Sequence, residues 1–251
     1  MEIKSDKSTG DGYIAGRNSV TEALRSGRQI DRLVIERGRS GGSMRPIIAM
    51  AHERGIPIKE VAPEKLSAMC PSTNHQGVIA VAAMKDYCTV DDILNTARER
   101  GESPFIIICD EIEDPHNLGA IIRTAEICGA HGVIIPKRRS VGLNFAVAKS
   151  ACGALEYMNV ARVTNIAAEI DRLKSEGVWV YAADMNGEDS RSVDYSGAAA
   201  LVIGSEGKGV GRLVRDKCDT VVSLPMKGKI TSLNASVAAG VLMYDIMRSR
   251  M

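Results

Sequence analysis

Residues 224–236 read LPMKGKITSLNAS and join the apolar run TVVS to a segment rich in small side chains. Pro225 and Gly228 are residue types that interrupt regular structure and favour turns. Ser232 and Asn234 are residue types that favour the first positions of a helix. The stretch therefore predicts a strand end, a basic turn and a helix start in immediate succession.

The chain before this stretch alternates short apolar runs with helix-like segments. PFIIICDEI at 104–112 is an apolar run that ends on acidic residues, which is typical of a buried parallel strand. GVIIP and VWVYAAD are further short apolar runs, each of which follows a helix-like segment such as NLGAIIRTAEICGA. The order predicts an α/β fold with a mostly parallel sheet and helices on both faces.

Length and pattern together predict two domains in this chain of 251 residues. We expect a frayed polar tail over 1–12, a small α/β domain over 13–85, a charged linker helix over 86–103 and a larger α/β domain over 104–251. The hydrophobic share of 45% and the charged share of 25% are typical of globular proteins. This composition argues against extensive disorder.

Cysteine, histidine and apolar patterns limit the classes of function. The six cysteines form no CxxC pair, and the four histidines show no metal-ligand spacing. We therefore expect reduced thiols and no metal site. No apolar run reaches the roughly 18 residues of a membrane span, so we expect a cytoplasmic protein with no membrane partner. With two Phe and one Trp, aromatic platforms that stack RNA bases are not expected.

Positive charge is concentrated in two stretches, although the net charge is only +1. Residues 25–45 hold six arginines against two acids, and residues 137–149 hold two lysines and two arginines with no acid. Such stretches can bind a polyanion such as RNA. The alternative is that each is an ordinary solvated surface.

A glycine-rich loop, LVIGSEGKGVG at 201–211, follows a predicted strand. It does not match the phosphate-binding pattern GxxxxGK[ST], because Gly209 follows Lys208, and it lacks the last glycine of the dinucleotide pattern GxGxxG. What remains is a strand end whose backbone bends sharply at its glycines. In a parallel sheet such a loop favours a ligand site; an ordinary connection is the alternative.

Three motifs together resemble a known family. NLGAIIRTAE (117–126), LVIGSEGKG (201–209) and LPMKGKITSLNASVAAGVLMYD (224–245) resemble, in order and spacing, the signature motifs of the TrmH/SpoU family of RNA 2′-O-ribose methyltransferases. PKRRSVGLNFAVAKSACGALE (136–156) matches the stretch between the first two motifs. The resemblance covers nearly the whole chain after residue 12.

The N-terminal part resembles the domain that precedes the catalytic domain in some of these enzymes. AGRNSVTEALRSG (15–27) and NHQGVIAV (74–81) resemble the small ribosomal-protein L30e-like RNA-binding domain of bacterial 23S rRNA guanosine 2′-O-methyltransferases. The resemblance therefore implies a substrate-binding domain followed by a SPOUT-type catalytic domain.

The resemblance implies that the C-terminal segment threads through a loop to form a deep trefoil knot and that two copies join as a homodimer through this domain. Loops of the knot hold S-adenosylmethionine in related enzymes, mainly through main-chain groups. The positions that match are Ile203, Gly204, Leu224, Met226 and Leu233.

The resemblance also implies which residues carry out the reaction, namely Asn117, Arg123, Glu206, Ser232 and Asn234. For Arg123 we favour binding of the ribose and its phosphate over the role of a general base, because a guanidinium hardly loses its proton in proteins. Asn117 and Asn234 could also simply cap their helices. For Glu206 the alternative is an exposed loop acid.

RNA docking is expected to use polar and basic residues of both domains. In the small domain these are Arg17, Asn18, Arg25, His75 and Gln76, and in the large domain they are Arg138, Arg139 and Lys149. The arginines and lysine would contact phosphates, and the 2′-hydroxyl distinguishes RNA from DNA. His75 could instead have a purely structural role.

The resulting hypothesis is an enzyme that transfers a methyl group from S-adenosylmethionine to the 2′-hydroxyl of a guanosine in large-subunit (23S) rRNA. One alternative keeps the chemistry and changes the substrate to tRNA or another rRNA site. A second alternative is a non-catalytic RNA-binding protein of ribosome assembly. The complete set of candidate catalytic residues argues against the non-catalytic alternative.

Overall fold

The protein is described by a computed structural model, which covers residues 11–70, 74–230 and 232–251. The chain divides into two compact units. The first comprises Met1–Lys85 together with Leu143–Glu156, and the second comprises Asp86–Gly142 together with Tyr157–Met251.

Strands and helices alternate along the described chain. The strands are β1 Asp11–Ala15, β2 Arg32–Glu36, β3 Ile58–Val61, β4 Val78–Ala83, β5 Phe105–Cys109, β6 Gly132–Pro136, β7 Asn159–Val163, β8 Trp179–Asp189, β9 Ala199–Ile203 and β10 Thr220–Ser223. The helices are α1 Arg17–Arg25, α2 Met44–Glu53, α3 Pro63–Met69, α4 Val90–Arg100, α5 Pro115–Ile127, α6 Phe145–Ser150, α7 Ile166–Ser175, α8 Arg212–Lys217 and α9 Ala235–Ser249.

The first unit is built on a four-stranded mixed sheet in the order β1-β4-β2-β3. The β2–β3 pair is parallel, whereas β4 runs antiparallel to both β1 and β2. Asp11 and Gly12, which the sequence places in a frayed tail, begin β1 and pair with the end of β4. The rest of that predicted tail, residues 1–10, lies outside the described residues. The sequence did not indicate β1 because its Asp-Gly start is typical of a turn.

The segment Leu143–Glu156 packs with the first unit, although the sequence places it inside the larger domain. Phe145 packs against the apolar cluster that contains Leu66 and Ile79. The guanidinium of Arg28 donates to the Glu156 carboxylate at 2.5 Å, and this ion pair is largely buried. Apolar and charged contacts therefore both hold this segment, and Lys149 within it, in the first unit.

The second unit is built on a six-stranded sheet in the order β10-β8-β9-β5-β6-β7. Every pair of neighbouring strands in it is parallel. The predicted α/β class with a parallel sheet is thus confirmed. Ile106, Ile134 and Val202 are fully buried, as expected for strands that helices cover on both faces.

Helix α4, predicted as a linker, belongs to the second unit. Its Val90, Ile93 and Leu94 are buried in the same core cluster as strands β5 and β9. The helix begins with a capping box in which Thr89 and Asp92 each accept a hydrogen bond from the other's backbone N–H. Charge along the exposed face of α4 indicated a linker, but its apolar stripe packs into the core.

None of the helices in the described part of the chain has the length and apolar character that a membrane crossing requires.

Buried His131 forms hydrogen bonds with the start of β5 and with Glu102. The backbone N–H of Phe105 donates to Nδ1 of His131 at 2.9 Å, so Nε2 carries the ring proton and faces Glu102 at 3.0 Å. Burial lowers the pKa of His131, and the bond to Glu102 opposes this shift only in part. Protonation of Nδ1 would place two donors face to face, so the folded state keeps the ring neutral.

We therefore expect His131 to make stability depend on pH. In the unfolded chain the imidazole of His131 takes up a proton near pH 6.5, whereas in the folded state it stays neutral at this pH. The free energy of unfolding therefore falls as the pH drops through this value. Between pH 7.5 and 5.5 the wild type should lose roughly 1 kcal/mol more unfolding free energy than His131→Gln, in urea denaturation. Equal losses in both proteins would contradict this role.

Candidate active site

The glycine loop after β9 folds back tightly on itself. The N–H of Gly209 donates to the carbonyl oxygen of Ser205 at 2.9 Å. A Cβ atom at Gly204 would lie 2.0 Å from the carbonyl carbon of Gly209, so no side chain fits at this position. Gly207 adopts a positive φ of 82°, which glycine tolerates best. The sharp bend that the sequence predicts here is therefore present.

A cavity of about 490 Å³ lies between this loop, the end of β10 and the start of α9. Its lining includes all five positions that the family resemblance assigns to the cofactor, namely Ile203, Gly204, Leu224, Met226 and Leu233. Ser232 also lines it. The volume falls within the range of small-molecule sites, and an apolar lining with a few polar groups is typical of them.

Another wall of the cavity comes from a part of β8 that leaves the sheet. Val221 of β10 pairs with Ala182, but the next residue, Val222, pairs with Glu188. We call the intervening residues 183–187 the β8 excursion. Four of its residues line the cavity, namely Ala183, Asp184, Met185 and Asn186. The sequence motifs do not include these four residues, although the Asn-Gly pair at 186–187 is a turn signal that indicates a break in the strand.

A closed set of hydrogen bonds joins the three motif segments. Nδ2 of Asn117 donates to Oε1 of Glu206 at 2.9 Å. Nδ2 of Asn234 donates to Oδ1 of Asn117 at 3.0 Å and also to Oε1 of Glu206. We call these three residues the amide–carboxylate triad. It fixes α5, the glycine loop and the start of α9 to one another.

The two asparagines differ in their relation to their helices. Asp114 caps α5 by accepting from the N–H of His116 at 2.9 Å, so Asn117 is not the cap and lies buried in the first turn. Asn234 does cap α9, because its Oδ1 accepts from the N–H of Ser236 at 3.0 Å. Its Nδ2 meanwhile joins the triad, so capping and site formation coincide in this one side chain.

Arg123 lies one and a half to two turns beyond Asn117 on α5 and is exposed. Residues six apart on a helix project about 120° from each other. The structure thus brings together Asn117, Glu206 and Asn234, while Arg123 lies further along the same helix.

A second cavity, of about 240 Å³, adjoins the triad. It is lined by residues after β5 and by part of the glycine loop, namely Glu111, Ile112, Glu113, Asp114, Asn117, Ser205, Glu206 and Lys208. Ser205, Glu206 and Lys208 line both cavities. The triad carboxylate therefore lies where the two cavities share a wall.

Asp110 at the end of β5 supports the loop that follows β9. Its Oδ2 accepts from the N–H of Gly211, the residue before α8, at 2.8 Å. Burial raises the pKa of Asp110, and the bond from Gly211 opposes the shift.

In the described part of the chain, no group of three or more His, Cys, Asp or Glu side chains is placed to hold a metal ion.

Three of the RNA candidates of the first unit, Arg17, His75 and Gln76, form a small cluster just before β4. Nε of Arg17 donates to the carbonyl oxygen of Gln76 at 3.0 Å. Nδ1 of His75 accepts from the N–H of Gly77 and Nε2 faces Ser67, each at 3.1 Å. These bonds give His75 a structural role in shaping the loop. Asn18 and Arg25 are exposed on α1.

Arg138 and Arg139 are exposed in the loop after β6, in the second unit. Arg139 pairs with Glu111 at 3.1 Å, and both residues have a positive φ. Lys149 lies on α6 and so belongs to the first unit, not to the larger domain as the sequence indicated.

The fold and the site define an α/β protein with a cavity at the carboxyl ends of parallel strands, which is where such sheets commonly bind ligands. Family comparison gives the class. Residues 104–244 match the SpoU rRNA Methylase family, and residues 13–88 match the family described as RNA 2′-O ribose methyltransferase substrate binding. The chain belongs to the SpoU rRNA Methylase family, so the resemblance in the three motifs is confirmed, and it is an RNA methyltransferase of the TrmH/SpoU type.

Individual relatives cover nearly the full chain. YacO of Bacillus subtilis (strain 168), assigned to the TrmH family of tRNA/rRNA methyltransferases, is 49% identical over 95% of this chain and 96% of its own. A Staphylococcus aureus (strain MSSA476) protein assigned to the same family is 43% identical over 96% and 97%. The SpoU methyltransferase AviRb from Streptomyces viridochromogenes, solved with the cofactor AdoMet, has a TM-score of 0.79 and 26% identity over 96% and 91%.

The tight glycine loop gives a direct test of the site's architecture. Gly204→Ala should lower the free energy of unfolding by about 2 to 3 kcal/mol, because the new Cβ collides with backbone that cannot move aside. Gly228→Ala is the matched control, since the nearest atom to its Cβ position, the backbone N of Ile230, is 4.0 Å away. Equal stability of the two variants in urea denaturation would show that the loop is not packed as described.

Proposed function

We propose that this enzyme methylates the ribose 2′-hydroxyl of a guanosine in large-subunit (23S) rRNA, with S-adenosylmethionine as methyl donor. The observation that carries the proposal is the amide–carboxylate triad between two adjoining cavities. The larger cavity suits the donor, and the smaller one opens beside it, where a ribose can approach. The named relatives and the substrate-binding family match add support.

The lining of the larger cavity fits S-adenosylmethionine. Leu224, Leu233 and Met226 offer apolar surface for an adenosine, and the glycine loop presents backbone groups without side chains in the way. About 490 Å³ is ample for a ligand of this size. When bound, the donor supplies a methyl carbon that is already activated by the sulfonium.

The chain's own residues then align the acceptor hydroxyl, whose proton passes to solvent water as its oxygen takes the methyl group. Arg123 anchors the phosphate and ribose of the target nucleotide through charge-assisted hydrogen bonds. Its positive charge also favours the ionised form of the nearby hydroxyl, without the guanidinium acting as a base. Glu206, held by Asn117 and Asn234, fixes the position of the two cavities relative to each other. Ser232 lines the larger cavity, which would hold the donor. Alignment of this kind can supply most of the rate enhancement.

We also propose that the C-terminal segment forms the trefoil knot that the family resemblance implies. The close backbone approaches at Gly204 and Gly187 support this, since a Cβ at Gly187 would lie 2.6 Å from the carbonyl group of Val221. Ala235 and Ala239, both buried at the start of α9, let this helix pack closely against its neighbours.

Under this proposal residues 13–85, which lie in the first unit, form an L30e-like RNA-binding domain, and residues 104–251 form the catalytic domain. The Arg17–Gln76 cluster and the exposed Arg25 provide phosphate-binding groups on the first unit. Arg138 and Arg139 do so on the second. Methylation of tRNA is the second candidate, because the named relatives are described for both tRNA and rRNA.

The enzyme should methylate 23S rRNA from a strain that lacks it. Tritiated S-adenosylmethionine is incubated with that rRNA or with bulk tRNA, and the labelled nucleotide is mapped. Label on a guanosine 2′-oxygen of 23S rRNA is expected, whereas label on tRNA alone would move the assignment to the second candidate. Absence of label on either RNA would overturn the proposed activity.

In the same assay Arg123→Ala should reduce methyl transfer at least about 100-fold while donor binding persists. Arg98→Ala is the control, because Arg98 is an exposed arginine that pairs with Glu176 in the same unit. Near-normal turnover by Arg123→Ala would remove this residue from the mechanism.

An exposed apolar stripe supports the proposed homodimer. Val237, Val241 and Tyr244 on α9 and Ile127 on α5 are each 44–54% exposed, and these two helices pack against each other. Such a stripe on a surface is typical of an association site. The dimer would use this face of the second unit.

Val241→Asp combined with Tyr244→Asp should therefore yield monomers in light scattering, because charge at the centre of an apolar interface is not compensated. Leu213→Asp, which changes another exposed apolar residue on α8, should leave the mass at twice that of one chain. A dimeric double variant, or a monomeric wild type, would contradict the proposal.

A further inference from the structure

The β8 excursion holds an acidic side chain that belongs to none of the three motifs. Asp184 lines the larger cavity. Its side chain is only 15% exposed, whereas Glu206 and Lys208, the other charged residues of the lining, are both exposed. A partly buried charge is screened less by water and salt than an exposed one. Of the three charged residues of the lining, Asp184 is therefore the one whose charge water and salt screen least.

Hydrogen bonds fix the Asp184 carboxylate in place. Oδ1 accepts from the backbone N–H of Asn186 at 3.0 Å and from its Nδ2 at 3.2 Å. Oδ2 would lie 4.0 Å from a Cβ at Gly209, which places the carboxylate beside the glycine loop. The side chain thus shapes the excursion and presents a negative charge next to the loop that lines the cavity.

A cation on α8 partly offsets this charge. NH1 of Arg215, on α8, lies 3.3 Å from Oδ2 of Asp184, in an ion pair that is loose and partly exposed. Arg215 itself is not part of the cavity lining. The negative charge of Asp184 can therefore attract a cation bound in the cavity. The positive charge of Arg215 weakens this attraction.

We propose that Asp184 is a specificity-determining residue of the donor cavity, which makes the cavity bind the methyl donor, with its net charge of +1, more tightly than the product, whose net charge is zero. This inference rests on the proposed function. S-adenosylmethionine carries an ammonium, a carboxylate and a sulfonium, with a net charge of +1, whereas S-adenosylhomocysteine lacks the sulfonium charge. A nearby carboxylate attracts the net positive charge of S-adenosylmethionine. It has little net electrostatic interaction with S-adenosylhomocysteine, whose net charge is zero. The product would then leave more easily after transfer.

Charge variants separate this role from a merely structural one. Asp184→Asn keeps an oxygen that can accept from Asn186 but removes the charge. It should weaken binding of S-adenosylmethionine by about three- to tenfold and binding of S-adenosylhomocysteine by less than about twofold, in titration calorimetry. Arg215→Met should shift the ratio of the two affinities about two- to threefold in the opposite direction, because it removes the offsetting cation.

Asp216→Asn is the matched control. Asp216 is an exposed acid on the same helix as Arg215, its carboxylate faces Arg212, and it is not part of the cavity lining, so the affinity ratio should stay unchanged. If Asp184→Asn weakens both ligands equally, or if Arg215→Met leaves the ratio unchanged, the proposal is wrong. Should Asp184→Asn fail to fold, the Arg215→Met ratio decides. A wild type that binds neither ligand would instead overturn the proposed function.

Discussion

The carboxylate of Glu206 is the point on which the site depends. It accepts hydrogen bonds from Asn117 and Asn234, which come from helices far apart in the chain and in different motifs. A carboxylate that accepts two amide donors is a strong and directional junction. Because the same side chain lines both cavities, the junction sets how the larger and the smaller cavity lie against each other.

Glycines allow the backbone to reach this arrangement. Gly204 and Gly187 each lie so close to neighbouring backbone that a Cβ would collide with it. One permits the loop after β9 to fold back, and the other returns the β8 excursion to the sheet. Both close approaches lie in segments that border the larger cavity, which the partly buried Asp184 also lines.

Much of this could be predicted from the sequence. Apolar runs such as FIIIC that stop on acids indicated parallel strands correctly, because burial on both faces leaves a clear pattern. The second and third motifs contain the five cavity-lining positions that the family resemblance assigned to the cofactor. Other features left no local signal. For Asn117 the sequence left helix capping open as an alternative to a role in the site, because amide side chains favour cap positions, yet Asp114 caps α5. Phe145 and Glu156 gave no hint that their segment packs with the first unit, since such contacts depend on tertiary structure.

The coupling between Asn117 and Asn234 tests the central claim most directly. Methyl transfer rates at saturating donor are measured for Asn117→Ala, Asn234→Ala and the double variant, with folding checked by circular dichroism. If both amides act by holding one carboxylate, the double variant should be about as slow as the slower single variant, because either change already releases Glu206. Independent effects that multiply in the double variant would contradict the account.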